Sequence, residues 1–441
     1  MDDALVGDEV VRPGLFDSAR GVLLVLAAVQ FTSIVDFMIV MPLGPQLMRT
    51  LAITPAQFGL IVSSYTFSAG VAGLLASSFV DRYGRRAAFL SLYVGFLLGT
   101  LLCGLAPGYA TLLAARVVTG AFGGILGGMA LTIIGDVFPD ERRGAATGAL
   151  MSAFAVASVV GVPFGLYLGT RYGWHAPFLM LAGLGSVVLP VGARTLPPLR
   201  GHLSPRRADA HPWATVVATF THPNHLRAFA LVVTLMFGGF AVIPYISPYL
   251  VANVGVTEID LPWVYVAGGG LTLVTAPWIG RLADRHGKLR VYLIVAPIAA
   301  VLMIVVTNLP RVPLAVAVAM VGLLMVGNAG RMVAAMAMIT ASVEPRRRGG
   351  FMSANSSVQH VASGLGAFVG SRIIVKAGDG SLLHFDRVGL LAALATVISL
   401  VLAGRLRSAE PGPATSTALS LGAADEALCN PGDPLPAAES V

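Results

Sequence analysis

Twelve runs of apolar residues, separated by short polar gaps, divide most of the chain. They lie near 21–47, 56–79, 87–106, 109–134, 145–169, 175–195, 227–251, 262–283, 289–308, 313–340, 350–375 and 384–405. About 18 apolar residues in one stretch are enough to cross a hydrocarbon core about 30 Å thick. Irregular backbone cannot face lipid, because its amide and carbonyl groups would go unpaired, so each run predicts a helix. Pro42, Pro163, Pro244, Pro248 and many glycines fall inside the runs, a pattern tolerated in kinked or closely packed membrane helices.

Composition supports the same class. Of 441 residues 56% are hydrophobic and only 12% charged, against about 25% charged in a soluble domain. The chain therefore reads as an all-α polytopic membrane protein. Its two cysteines, Cys103 and Cys429, make neither a disulfide framework nor a metal site. The net charge of +7 does not point to nucleic acid, because the basic residues sit in the short gaps between apolar runs. The start of the chain is acidic (Asp2, Asp3, Asp8, Glu9) and lacks the basic region of a cleaved signal, so the first run is expected to remain as a span.

The gaps set an orientation. With an even number of spans both termini share a side, and that side carries 21 of the 29 Lys and Arg. The opposite gaps hold six (Arg49, Arg171, Arg311, Arg372, Lys376 and Arg387), and Arg116 and Arg331 fall inside runs. By the positive-inside rule both termini are expected in the cytoplasm.

The gaps also repeat. FVDRYGRRAAFL (79–90) follows the second run and RLADRHGKLRVYL (281–293) the eighth, with Asp81 and Asp284 203 residues apart. PDERRGAATGAL (139–150) precedes the fifth run and PRRRGGFMSANS (345–356) the eleventh, their Arg-Gly junctions 205 residues apart. Two six-helix halves follow, 21–195 and 227–406, related by a parallel pseudo-repeat. Around them lie an N-terminal segment (1–20), a basic, proline-broken connector (196–226) and a tail (407–441) whose composition reads as disordered. In the connector, WATVVATF is expected to lie on the membrane surface as a short amphipathic helix.

At these residues the chain resembles the major facilitator superfamily, over essentially all of 20–406. The family's loop between spans two and three reads G-x-L-x-D-R-x-G-R/K-R/K. Gly280, Leu282, Asp284, Arg285, Gly287 and Lys288 fit it closely; the first copy keeps Asp81, Arg82, Gly84, Arg85 and Arg86 but has Ser77 at the leading glycine. The resemblance implies a cytoplasmic gate that latches the outward-facing state, and Asp and Arg there suit charge-assisted bonds between helix ends. A bare topology anchor is the alternative. RVVTGAFGG (116–124) resembles an element of proton-coupled members. SVVGVPFGLYLG (158–169), with Gly161, Pro163 and Gly165, resembles the antiporter element of bacterial drug and sugar exporters. Those glycines would let backbones approach at an interface that opens and closes.

Depth singles out one acid. At 1.5 Å per residue Asp36 lies about 22 Å from the cytoplasmic edge of span one, and Arg116 about 20 Å from the same edge on span four. A lone carboxylate at a helix centre costs about 2.5–3.5 kcal/mol, so its retention asks for a partner, a wet cavity or a function. Proton binding at Asp36 would weaken an ion pair with Arg116 and bias one state of a carrier; a static structural pair is the bland reading. His360 is either a second proton site or a neutral buried histidine. Gln30, Asn328 and Gln359 are candidates for a substrate cavity. Arg331 either joins them or snorkels to the interface. Tyr245, in proline-broken IPYISPYL, suits an outer gate, a cavity wall or an interfacial belt. The methionines of MVAAMAMI (332–339) form either an adaptable wall or ordinary packing.

No phosphate loop, nucleotide motif, hydrolase set or metal-ligand set accompanies these features. The expectation is a transporter and not an enzyme, without a cofactor. Its partners would be a small-molecule substrate, protons and the lipid bilayer, with no nucleic acid, and it would act as a monomer in the bacterial inner membrane. The resemblance favours proton-coupled export of small apolar, neutral or weakly cationic compounds by alternating access. A proton-coupled nutrient importer and a transporter-like sensor stay open as alternatives.

Overall fold

The computed structural model describes residues 19–79, 83–198, 219–344, 348–407 and 409. Most of the first segment, the connector and the tail, with the readings made on them, lie outside the described residues. So do Asp81 and Arg82.

Among the described residues twelve helical rods cross the molecule in alternating directions. In the first half they are α1 (Ala19–Ile39), α2 (Pro55–Phe79), α3 (Arg85–Gly104), α4 (Tyr109–Val137), α5 and α6 (Ala176–Thr195). Rod α5 runs as Asp140–Val156, a π turn Ala157–Gly161, then Val162–Tyr172. In the second half α7 runs as Pro223–Val242 and continues through short helical pieces to Val254. It is followed by α8 (Leu261–His286), α9 (Lys288–Thr307), α10 (Leu314–Ala341), α11 (Arg348–Ile373) and α12 (Phe385–Arg405).

Prolines explain the irregular pieces. Pro163 has no amide hydrogen and its ring crowds the carbonyl four residues back; the π turn just before it moves the hydrogen bonding out by one residue, Val162 N bonding Ala157 O. Span one, expected to run to residue 47, instead stops at Ile39, turns through Pro42, and resumes as a short helix, Gly44–Thr50. Ten of the rods are long and apolar enough to cross a membrane among the described residues. The other two, α8 and α11, are more polar, and they lie where the halves meet: α8 packs on α5 and α11 packs on α2. A helix facing protein on that side does not need a wholly apolar surface.

The halves share a core on one side only. At the face opposite the termini, one buried apolar cluster joins Ile39, Phe58, Leu112 and Leu166 to Val242, Tyr245, Leu250 and Val264. Towards the termini each half keeps its own cluster, around Phe89, Tyr93 and Ile133 in the first and Tyr292, Ala335 and Phe351 in the second. The seam is tight: a Cβ on Gly70 would lie 2.7 Å from Val361 Cγ2 and 3.1 Å from the Ser357 carbonyl. Arg49 and Glu258 form an ion pair across the far end of this seam. A two-strand hairpin between α11 and α12 (Val375–Lys376 and Leu382–Leu383) is pinned to the end of α7, where the Asn253 side chain pairs with the Leu382 backbone in both directions.

Candidate functional site

Rods α1 and α3 run side by side in the same direction, so polar residues on them meet level by level. Thr32 and Tyr93 lie 3.2 Å apart through their hydroxyls. Higher up, Thr100 Oγ1 donates to Asp36 Oδ1 at 3.1 Å. From α4, Arg116 Nη1 donates to Asp36 Oδ2 at 2.7 Å and lies 3.3 Å from the Asp36 carbonyl oxygen. Both side chains are sealed, at 0% and 1% exposure. Tyr65 of α2 roofs the pair, with the guanidinium carbon 4.4 Å from the centre of its ring. Cys103 and Thr119 complete the surroundings, Sγ and Oγ1 being 3.7 Å apart. The two charges that depth arithmetic set at one level are thus in contact, but inside the first half's bundle and not on an open cavity wall. A buried pair of this kind holds only while both charges are present; losing one strands the other in a low-dielectric site.

The remaining candidates fall in several places. Gln30 lies two turns below Phe37 on the same face of α1, beside Gly127 of α4, and its Oε1 is buried without a hydrogen bond. Asn328 Oδ1 on α10 is likewise unbonded. Gln359 Nε2 reaches Met336 Sδ at 3.8 Å, and His360, half-buried on α11, makes no hydrogen bond to a described residue. None of these is joined to the Asp36 pair.

Arg331 corrects the snorkelling expectation. It is 2% exposed; its Nη1 donates to Thr396 Oγ1 at 3.1 Å and its Nη2 reaches the Leu235 carbonyl at 3.5 Å. The side chain turns into the second half's bundle among α7, α10 and α12, away from the interface. Tyr245 is fully buried in the seam, not on an open wall. Its hydroxyl donates to the Ala367 carbonyl at 2.5 Å and its ring meets Phe58 edge-on at 6.0 Å.

The glycine element of α5 also faces elsewhere than expected. Gly161 lies against Val35 and Phe31, and a Cβ on Gly165 would sit 3.0 Å from Ile39 Cδ1, so the stripe packs on α1 inside its own half. Its four-residue spacing puts the glycines on one face, and Pro163, between them, does not share that contact. The contact between halves is made nearby by Ser158, whose carbonyl would be 3.1 Å from a Cβ on Gly269 of α8. At the loops, Gly84 precedes α3, and Arg85 pairs with Asp136 of α4 at 3.3 Å. In the second copy Asp284 and Arg285 are exposed, and Gly287 takes a φ of +93°, a value that favours glycine.

Comparison with known proteins now bears on this geometry. A family model described as Major Facilitator Superfamily matches residues 26–243 and again 228–423. The chain is similar to the inner membrane transport protein YdhP of Escherichia coli K12, 28% identical over 287 residues, covering 64% of this chain and 71% of that one. It is also similar to two uncharacterized MFS-type transporters of Bacillus subtilis. With YwfA the identity is 25% over 373 residues, 83% of this chain and 87% of that one. With YfhI it is 27% over 258 residues, 55% of this chain and 64% of that one, so the match spans under two thirds of YfhI. Among solved structures, a bacterial homolog of the human lysosomal transporter Spinster, inward-facing and occupied, superposes with a TM-score of 0.70 at 18% identity, over 90% of this chain and all of that one. Two successive family matches, twelve rods and a shared fold lead to one conclusion: the chain belongs to the major facilitator superfamily, whose members are membrane-embedded secondary transporters and not enzymes.

Proposed function

We propose that this chain is a proton-coupled antiporter of the bacterial inner membrane that exports small apolar, neutral or weakly cationic compounds (drugs, sugars or metabolites) by alternating access. The observation that carries the reading is the sealed Asp36–Arg116 pair. A carboxylate held in a membrane protein's interior marks a proton or substrate pathway by default. Neutralising it removes the charge assistance of its bond to Arg116, so proton binding and release would shift the balance between two arrangements of the halves. With both termini cytoplasmic by the positive-inside rule, the closed far face would be the periplasmic one. Few charges line the spans, which suits apolar and weakly charged cargo better than phosphates.

Inverted membrane vesicles test the reading. With an acidified lumen, a panel of fluorescent lipophilic dyes should accumulate with the wild type and not with Asp36→Asn, at equal amounts of inserted protein. Accumulation by Asp36→Asn at the wild-type rate would overturn proton coupling through this residue. Uptake confined to right-side-out vesicles would reverse the direction to import.

A further inference from the structure

Asp36 is sealed within the first half, yet any effect of its protonation on transport must reach the other half. A continuous path of ring contacts leads from the Asp36 pair to that half. Tyr65 presents one face to the Arg116 guanidinium at 4.4 Å. Its ring also packs on Phe37, the residue after Asp36, with centroids 5.2 Å apart and planes tilted by 31°. Phe37 in turn meets Phe240 of α7, in the second half, at 5.9 Å and 33°. Residues one step apart on a helix point about 100° from each other. Asp36 can therefore face α3 and α4 while Phe37 faces the other half.

Tyr65 has little room to yield in the opposite direction. A Cβ on Gly120 would lie 2.9 Å from the Tyr65 Cα, and one on Gly123 would lie 2.6 Å from its hydroxyl oxygen. Rod α4 therefore backs the ring closely, and a displacement imposed by the guanidinium passes towards Phe37. The guanidinium itself is aimed by its 2.7 Å bond to Asp36 Oδ2. When the carboxylate gains a proton that bond loses its charge assistance, and the attraction of Arg116 to the Tyr65 face, strengthened by the absence of water, is left to set its place.

We infer that Tyr65 and Phe37 are positioning residues that carry the protonation state of Asp36 to Phe240 and so to the contact between the halves. This inference rests on the proton-coupling reading above. The titratable or charged groups facing Asp36 are Arg116 from α4, Tyr65 from α2 and Cys103 from α3; among the described residues α5, α6 and α7 bring none to it.

The test needs no transported substrate. The full chain, with Cys429→Ser, carries spin labels at Thr50→Cys and Ile259→Cys, two exposed positions on either side of the far-face seam. In lipid nanodiscs, electron–electron double resonance reads the ratio of short to long label distances from mildly acidic to mildly alkaline pH. The wild type should change that ratio by at least about fivefold, a typical coupling between linked sites. Tyr65→Leu and Phe37→Leu should each reduce the change to under about twofold, and Tyr65→Phe, which keeps the ring, should retain it. A purely structural role would lower melting temperature without flattening the pH response. A full response in folded Tyr65→Leu and Phe37→Leu, with Asp36→Asn flat, overturns the relay and leaves proton coupling standing. A full response in Asp36→Asn, or none in the wild type, overturns the proton-coupling reading itself.

Discussion

Among the described residues Arg116 and Arg331 are the two arginines buried inside the rods, and they are held in opposite ways. Arg116 faces a carboxylate; Arg331 bonds, among the described residues, a hydroxyl and a carbonyl. The 203-residue repeat sets Gly239 where the first half has Asp36, and a Cβ there would lie 3.1 Å from Arg331 Nη2. The same offset sets Ala319 where the first half has Arg116, so neither charge of the pair is repeated, and Arg331 is a separate buried cation of the second half. Arg116→Met should lower stability by about 3–5 kcal/mol, because it strands Asp36, and adding Asp36→Asn should restore much of the loss. Arg331→Met strands no opposite charge and should be neutral or stabilising; unfolding of the purified variants in detergent reads both. A loss for Arg331→Met matching that for Arg116→Met would mean that Arg331 has a counter-charge of its own. Counting residues from span ends was enough to bring Asp36 and Arg116 together, because charged groups are rare in apolar runs. Tyr65 and Thr100 carried no such signal: which neutral ring or hydroxyl faces the pair depends on the rotation of four helices. Counting also could not tell that Arg331 turns inward, since it gives depth and not direction.

At the scale of the helix, most rods could be read from apolar periodicity and length, and the misreadings fall at prolines and glycines. Pro42 ends α1 early because an interior proline removes a hydrogen bond and crowds the preceding turn. The glycines of α5 were rightly read as a close-contact surface, but a stripe does not name its partner, and that partner is α1. One effect is local to the Asp36–Arg116 pair: the Gly161 contact is with Val35, the residue before Asp36. Gly70, by contrast, governs α2 against α11. Gly70→Leu cannot be seated in the present seam, so the Thr50–Ile259 label distance should lengthen while each half stays folded. An unchanged distance would mean that the two rods slide past one another instead of parting.

For the whole molecule, two halves were legible from the doubled loop motif, and the family assignment agrees. Which face is closed was not legible, because a carrier's sequence has to be compatible with both of its states. Here the far face is closed by a shared apolar core and capped by Arg49 and Glu258, whose arginine side chain is 66% exposed. An exposed pair contributes about 0–1 kcal/mol and is screened by salt. Arg49→Ala should therefore shift the closed-to-open ratio by no more than about fivefold, with the difference from wild type fading as ionic strength rises. A shift of about a hundredfold, insensitive to salt, would mean that the pair and not the core holds the face shut.

The polarity of α8 and α11 also bears on how the protein is made. Both are less apolar than the other ten rods, and each rests on a helix of the first half, α5 and α2. Those supports are synthesised earlier in the chain. A second half produced alone would present the serine, asparagine and glutamine side chains of α11 to lipid.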